Sequence, residues 1–211
     1  MLYPHQLTET EEGLNIYVPD PERVKPVYEQ LLARDPSTKI PFWARIWPSA
    51  RAMVSFIKSN PGWIINKQVL ELGAGIGLPS FVAAPLASGV LISDYDPEAI
   101  LLAQKNIEYL GLKQVQAMQI DWNHFPDQIK ADTILLSDIN YAPDQFNSVQ
   151  TLIRKILDQG STILLSTPQR ITASPFVSAL EPYIRHSVLE MMPERGLPVE
   201  IRILVLENPL T

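Results

Sequence analysis

The sequence has no cysteine in its 211 residues, which excludes disulfides and thiolate metal sites and suits a reducing, cytoplasmic setting. Histidine is almost as scarce. His5, His124 and His186 lie far apart with no carboxylate at metal-ligand spacing, so no metal is expected and each reads as a surface or loop residue. Positive charge is short as well: 17 Lys and Arg face 23 Asp and Glu, a formal net charge of −6. Without a basic stripe, nucleic acid is not an expected partner, whereas a small molecule or a basic protein surface is. Long apolar runs are missing. The longest, Phe81–Ile92, is interrupted by Pro85 and Gly89 and is too short to cross a bilayer. The opening MLYPHQLTETEEG has neither the basic nor the apolar region of a signal peptide.

What remains is ordinary globular material, 46% hydrophobic and 19% charged, enough for one sizeable core. The 19 prolines are dispersed, so they punctuate elements and do not mark a disordered tract. DPERVKPVYEQLLARD reads as a helix capped by Asp20, with Pro26 near its start or breaking it. WPSARAMVSFIKSN is a second helix, with Ala50, Met53, Val54 and Ile57 on one face. From KQVLELG onward, strands and helices alternate. The strands are KQVLELG, GVLISD, VQAMQI, ADTILLSD and STILLST. Helices fall at about Ile76–Ser88, after Asp96-Pro97, from Ala142, and around Pro175–Leu180. The tail gives two more strands joined by Glu194-Arg195-Gly196, with Met191-Met192 packed on both sides. Such alternation predicts a parallel sheet covered on both faces, with ligands bound where strands exit at their C-terminal ends.

The first exit, LELGAGIG, carries Glu71, Gly73, Gly75 and Gly77. Glycines here permit a tight turn and close approach of backbone N–H groups to a ligand. A dinucleotide fingerprint needs Gly-x-Gly-x-x-Gly, and position 78 is Leu. An acid at position 71 suits the cationic amino-acid end of S-adenosylmethionine better than a pyrophosphate. At the second exit Asp94 is placed to accept ribose hydroxyls, while Asp96 caps the next helix. At the third, Asp121 is a candidate acceptor for an adenine amine and Trp122 an apolar wall for the base.

Taken together, these three exits resemble those of class I S-adenosylmethionine-dependent methyltransferases. The resemblance covers roughly Pro41 to Leu206 and implies an α/β, Rossmann-like seven-stranded sheet of order 3-2-1-4-5-7-6, strand 7 antiparallel, with helices on both faces. Residues 1–40 are then an N-terminal extension with a helix, and 41–211 the methyltransferase domain. The fourth exit narrows the likeness. Asp138-Ile139-Asn140-Tyr141 lacks the Asn-Pro-Pro-Tyr of amino- and amide-methylating relatives and resembles the Asp-x-x-Tyr of the family 16, methyltransferase-like, protein-lysine methyltransferases. PFWARIWPSA resembles that group's Trp-Pro segment, DWN its Asp-Trp, and STPQR with Phe176 loosely its Pro-x-Arg segment.

The resemblance implies an S-adenosylmethionine site on Trp47, Glu71, Gly73, Ala74, Gly75, Gly77, Asp94, Asp121, Trp122 and Ser137, with Asp138 and Tyr141 at the methyl group. A carboxylate favours the charged form of a lysine amine, so Asp138 is assigned to capture and orientation in preference to proton removal. Tyr141 offers a ring face and a hydroxyl. The expected activity is methylation of a lysine on a protein partner by a monomer. Methylation of a small amine or other small molecule, an inactive cofactor-binding module and, from another class, a NAD-dependent oxidoreductase stay open. Trp43 is either a cover for the site or a packed aromatic. Arg45 and Arg51 read as solvated charges, and Arg170 as a substrate-side candidate.

Overall fold

The computed structural model describes residues 1–170 and 174–210; Thr211, the last residue of the expected domain, lies outside them. Strands β1 (His5–Glu9) and β2 (Asn15–Pro19) form an antiparallel hairpin, followed by helices α1 (Pro21–Arg34) and α2 (Pro48–Ser59). Then come β3 (Gln68–Leu72), α3 (Leu78–Ala83), β4 (Gly89–Asp94), α4 (Pro97–Leu110), β5 (Val115–Gln119), β6 (Thr133–Ser137), α5 (Phe146–Asp158), β7 (Thr162–Pro168), α6 (Ser174–Ser178), β8 (Ile184–Glu194) and β9 (Leu197–Leu206). The main sheet has seven strands in the order β5-β4-β3-β6-β7-β9-β8. Counted from β3, this is the expected 3-2-1-4-5-7-6. β3 to β7 pair in parallel, and β9 runs antiparallel to both of its neighbours.

The central strands are continuous apolar runs because both faces are covered. Alternation sorts them. Leu70, Leu72, Ile134, Leu136, Ile163 and Leu165 pack with the buried stripe of α5, Val149, Leu152, Ile153, Ile156 and Leu157. Val69, Val90, Ile92, Leu135 and Leu164 join the core built with α2, α3 and α4. Burying each such side chain contributes about 1.5–3 kcal/mol.

Caps set the helix starts. Asp20 accepts from Glu22 N at 3.0 Å and Asp96 from Glu98 N at 2.9 Å. Pro26 lies inside α1 without ending it. α1 buries no residue, so the Glu22 carbonyl that loses its intrahelical donor stands in an exposed residue and can turn to water. α3 is shorter than Ile76–Ser88, because Pro85 has no N–H to continue the ladder and its ring crowds the preceding turn. The Met191 side chain is not packed on both sides: β8 is the sheet's edge and Met191 is 59% exposed.

The β1–β2 hairpin was not expected. It is fastened to α4 by Asn106, which is fully buried. Asn106 Oδ1 accepts from Tyr17 N at 2.7 Å and Nδ2 donates to Tyr17 O at 2.9 Å. Among the described residues no helix is long and apolar enough to cross a membrane.

Candidate active site

The exits of β3, β4 and β6 converge on one cleft, closed on a further side by the segment leading into α2. After β3 the chain turns through Gly73 and Gly75, at φ of 64° and 55°. A Cβ on Gly73 would stand 3.1 Å from Trp122 Cζ3, and one on Gly75 would stand 3.2 Å from the Trp43 carbonyl oxygen. Both positions favour glycine, for the sign of φ and because a side chain would make its neighbour give way. Ala74 donates its N–H to Ser93 O at 2.9 Å, and Gly77 opens α3. All four residues line the cleft.

Asp94 ends β4 as a buried residue. Its Oδ2 accepts the Gly75 N–H at 2.8 Å and its Oδ1 accepts the Asp96 N–H at 2.9 Å. Burial pushes its pKa up, opposed by those backbone donors. The Tyr95 backbone is a further donor to it, acceptor capacity remains on the carboxylate, and the residue lines the cleft beside Tyr95. Burial, with Tyr141, Asp94 and Asp96 nearby, pushes the Tyr95 hydroxyl up to about 12.

The segment before α2 supplies the outer wall. Trp47 Nε1 donates to Phe42 O at 2.8 Å, the Arg45 guanidinium lies 4.6 Å from the Trp47 ring, and Arg45 also pairs with Glu194 on β8. Phe42 packs against Tyr141, ring centroids 5.3 Å apart. The two alternatives for Trp43 are not exclusive: it is buried edge-on to Tyr3 and also lines the cleft.

At the β6 exit Ser137 Oγ lies 3.3 Å from Ser166 Oγ, which donates to Ser49 O. Asp138 follows in the left-handed region, φ 55°, with its N–H on Ser166 O at 2.9 Å. Its carboxylate is 9% exposed and is clasped by Arg170, Nη1 to Oδ1 at 2.6 Å and Nη2 to Oδ2 at 2.9 Å. Burial pushes the Asp138 pKa up, Arg170 pulls it down and Glu194 adds to the rise. Tyr141 rims the mouth at 41% exposure. Its hydroxyl is raised by partial burial and by Asp94, Asp138 and Asp144.

Two expected cofactor residues are not among those lining this cleft. Strand alternation puts Glu71 on the α3 side of β3, beneath the glycine turn and off the cleft wall. It is 1% exposed, Oε2 accepts from Ser80 N at 3.1 Å and from Ser80 Oγ at 2.5 Å, and Oε1 has no partner among the described residues. Burial raises its pKa to about 8. Asp121 caps its own short turn: Oδ1 takes the Asn123 N–H and Nδ2, and Oδ2 lies 3.0 Å from His124 Nδ1. It borders a neighbouring shallow depression, which it shares with Trp122 and Tyr141. His124 thus has a carboxylate partner that the sequence reading did not give it.

Arg45 and Arg170 are cleft residues, while Arg51 pairs with Glu11 at 2.6 Å and Glu12 at 3.1 Å behind it. Tyr95 is a further cleft residue, unexpected although LISDYD places an aromatic directly after the ribose-acceptor candidate.

The sheet order and the placement of the cleft define a class I methyltransferase fold. The N-methyltransferase NodS of Bradyrhizobium japonicum, solved with S-adenosyl-L-homocysteine, superposes with a TM-score of 0.64 at 16% identity, covering 85% of this chain and 97% of that one. The chain belongs to the lysine methyltransferase family, whose model matches residues 30–182. Over 135 residues it is 33% identical to a calmodulin-lysine N-methyltransferase of Arabidopsis thaliana, covering 59% of this chain and 44% of that protein. Over 124 residues it is 26% identical to the histone-arginine methyltransferase METTL23 of Mus musculus, covering 56% and 49%. The chain thus spans about half the length of these curated relatives.

Proposed function

We propose that the protein transfers a methyl group from S-adenosylmethionine to the side-chain amine of a lysine in another protein. One observation carries this reading: Asp138 and Tyr141 line the same cleft as the Gly73–Gly77 turn and Asp94. Membership of the lysine methyltransferase family supports it.

The residues present suit an adenosyl sulfonium. Asp94 retains lone pairs for ribose hydroxyls, Tyr95 and Trp122 offer flat faces for a purine, and the glycine turn lets the backbone approach closely. When bound, the cofactor supplies an electrophilic methyl carbon on a positive sulfur. The chain's own work is positioning. Asp138 accepts an N–H of the amine, Tyr141 presents its ring and hydroxyl, and Phe42 with Trp47 shields the mouth from bulk water. Glu71 contributes indirectly by holding Ser80 and the start of α3 under the turn. Residues 41 onward form the catalytic domain and residues 1–40 an extension packed on it. We place the protein in the cytoplasm, which a cysteine-free chain suits, and take it to act as a monomer.

A guanidinium acceptor is the second reading, favoured by the likeness to a histone-arginine methyltransferase. The test is a lysate given the purified protein and tritiated S-adenosylmethionine, with labelled proteins identified and the methylated residue located by mass spectrometry. Label on lysine is expected. Label on arginine would transfer the proposal to the second reading, and label confined to small molecules would sink both.

A further inference from the structure

Methyl transfer needs a nitrogen lone pair, and a lysine amine with a reference pKa of about 10.4 has almost none at neutral pH. A bare carboxylate beside it deepens the problem, because an opposite charge within a few ångströms stabilises the ammonium. The structure does not leave Asp138 bare. Arg170 meets it fork to fork, one nitrogen on each carboxylate oxygen, at 2.6 and 2.9 Å. The backbone around Arg170 is itself fixed: Gln169 N donates to Glu200 O at 3.1 Å on β9, and Arg170 N donates to Pro168 O at 2.8 Å. The charged and titratable groups around the carboxylate are Arg170, Glu194, which is tied to Arg45, and Tyr141.

We infer that Arg170 is a positioning residue of the reaction: it neutralises Asp138, so that the carboxylate orients the incoming amine without trapping it as ammonium. This rests on the lysine reading above. The forked pair uses one lone pair on each oxygen, and a second on either oxygen accepts one N–H of the amine. The ammonium first gives one proton to water at the mouth of the cleft. The neutral nitrogen then forms its bond to the methyl carbon as the carbon–sulfur bond breaks, its electrons staying on sulfur. The product is a secondary ammonium bearing the charge that sulfur lost, and it sheds a proton in turn. Without Arg170, the buried carboxylate and the amine share a proton that must leave before the lone pair is free.

The test uses Arg170→Gln and Arg170→Lys in the full chain, with the acceptor protein identified in the labelled lysate held at saturation. In Arg170→Gln the inflection of turnover against pH moves up by about one unit or more. The rate at pH 7.5 falls about tenfold and recovers towards pH 10, since one pKa unit is a factor of ten. Arg170→Lys, which keeps the charge and loses the fork, shifts the inflection less. Affinity for S-adenosylmethionine, read by calorimetry, stays within about twofold, a change too small to signal a rebuilt site. In carbon-13 titrations the Asp138 carboxyl pKa is higher in Arg170→Gln than in the wild type. An equal loss of rate at every pH, with the inflection in place, would reduce Arg170 to a structural role and overturn the inference. So would tighter acceptor binding with an unmoved inflection, which is the mark of a guanidinium displaced by substrate. An Asp138 carboxyl pKa that does not rise overturns it without reference to any acceptor. If the wild type labels no lysine at any pH, the functional reading fails, and the carbon-13 titration still decides whether Arg170 holds the carboxylate ionised.

Discussion

Gly75 and Asp94 are joined by one hydrogen bond, the Gly75 N–H on Asp94 Oδ2 at 2.8 Å. That bond ties the turn after β3 to the end of β4 and aims the carboxylate along the cleft wall. Its other oxygen is committed to Asp96 N. An amide at this position has one acceptor atom for two backbone donors. Asp94→Asn is therefore expected to weaken S-adenosylmethionine binding about 10–100-fold, the scale of one lost charge-assisted hydrogen bond. Calorimetry measures it, and unchanged affinity would remove Asp94 from the ribose.

The acid under the turn gives a pH prediction. The Glu71 pKa is about 8 in the fold against an ordinary 4.5. A pKa raised on folding means that its contribution is complete below about 4.5 and is lost as pH rises through 8. Wild-type stability should then fall relative to Glu71→Gln by up to about 1.4 kcal/mol per pH unit across that window. Urea melts of both proteins at pH 5, 6.5 and 8 check it; parallel curves would show that the buried acid is ionised throughout.

Asn106 makes a prediction about the hairpin. Asn106→Ala leaves Tyr17 N–H and C=O without their side-chain partners, each unmet group costing about 1–3 kcal/mol. Hydrogen exchange is expected to accelerate at Tyr17 and along β1–β2 while the seven-stranded sheet keeps its protection. Uniform acceleration across the chain would mean that the hairpin and the sheet unfold as one unit.

For Asp138 the choice of substitution matters. At φ 55° an alanine would add backbone strain to the loss of charge, whereas asparagine tolerates this region and keeps the shape. Asp138→Asn is expected to lower methyl transfer about a hundredfold, the order of effect of misplacing a reacting group, with cofactor affinity retained. Unchanged turnover would remove the carboxylate from the chemistry.

The sheet was legible because five apolar runs alternate with amphipathic helices, and tertiary packing did not override that pattern. Which face each residue took was not legible where neighbours are equally apolar, as at Leu135 and Leu136, which join different cores. The exits were legible as positions and less so as directions. Glu71 lies two residues before Gly73, yet alternation turns it under the turn. Asp121 engages both of its oxygens with Asn123 and His124, a local competition that a strand-end reading does not register. Arg170 and Asp138 are 32 residues apart and meet only because β6 and β7 are neighbours, so no spacing rule announces them. The β1–β2 hairpin is short and mostly polar on β1, and its fastening residue lies 89 positions downstream on a helix.

The contact between Gly75 and Trp43 bears on how such sequences are sorted. A side chain at 75 would press on the Trp43 carbonyl oxygen at 3.2 Å, whether or not anything occupies the cleft. That glycine is favoured by the packing of the turn as well as by any ligand, so its presence alone does not report on chemistry. The Asp138–Arg170 couple also holds backbone in place, but only as a pair, since removing one partner leaves a buried charge alone. For separating working enzymes from silent copies, the acid and its arginine therefore say more when both are read together than Gly75 does alone.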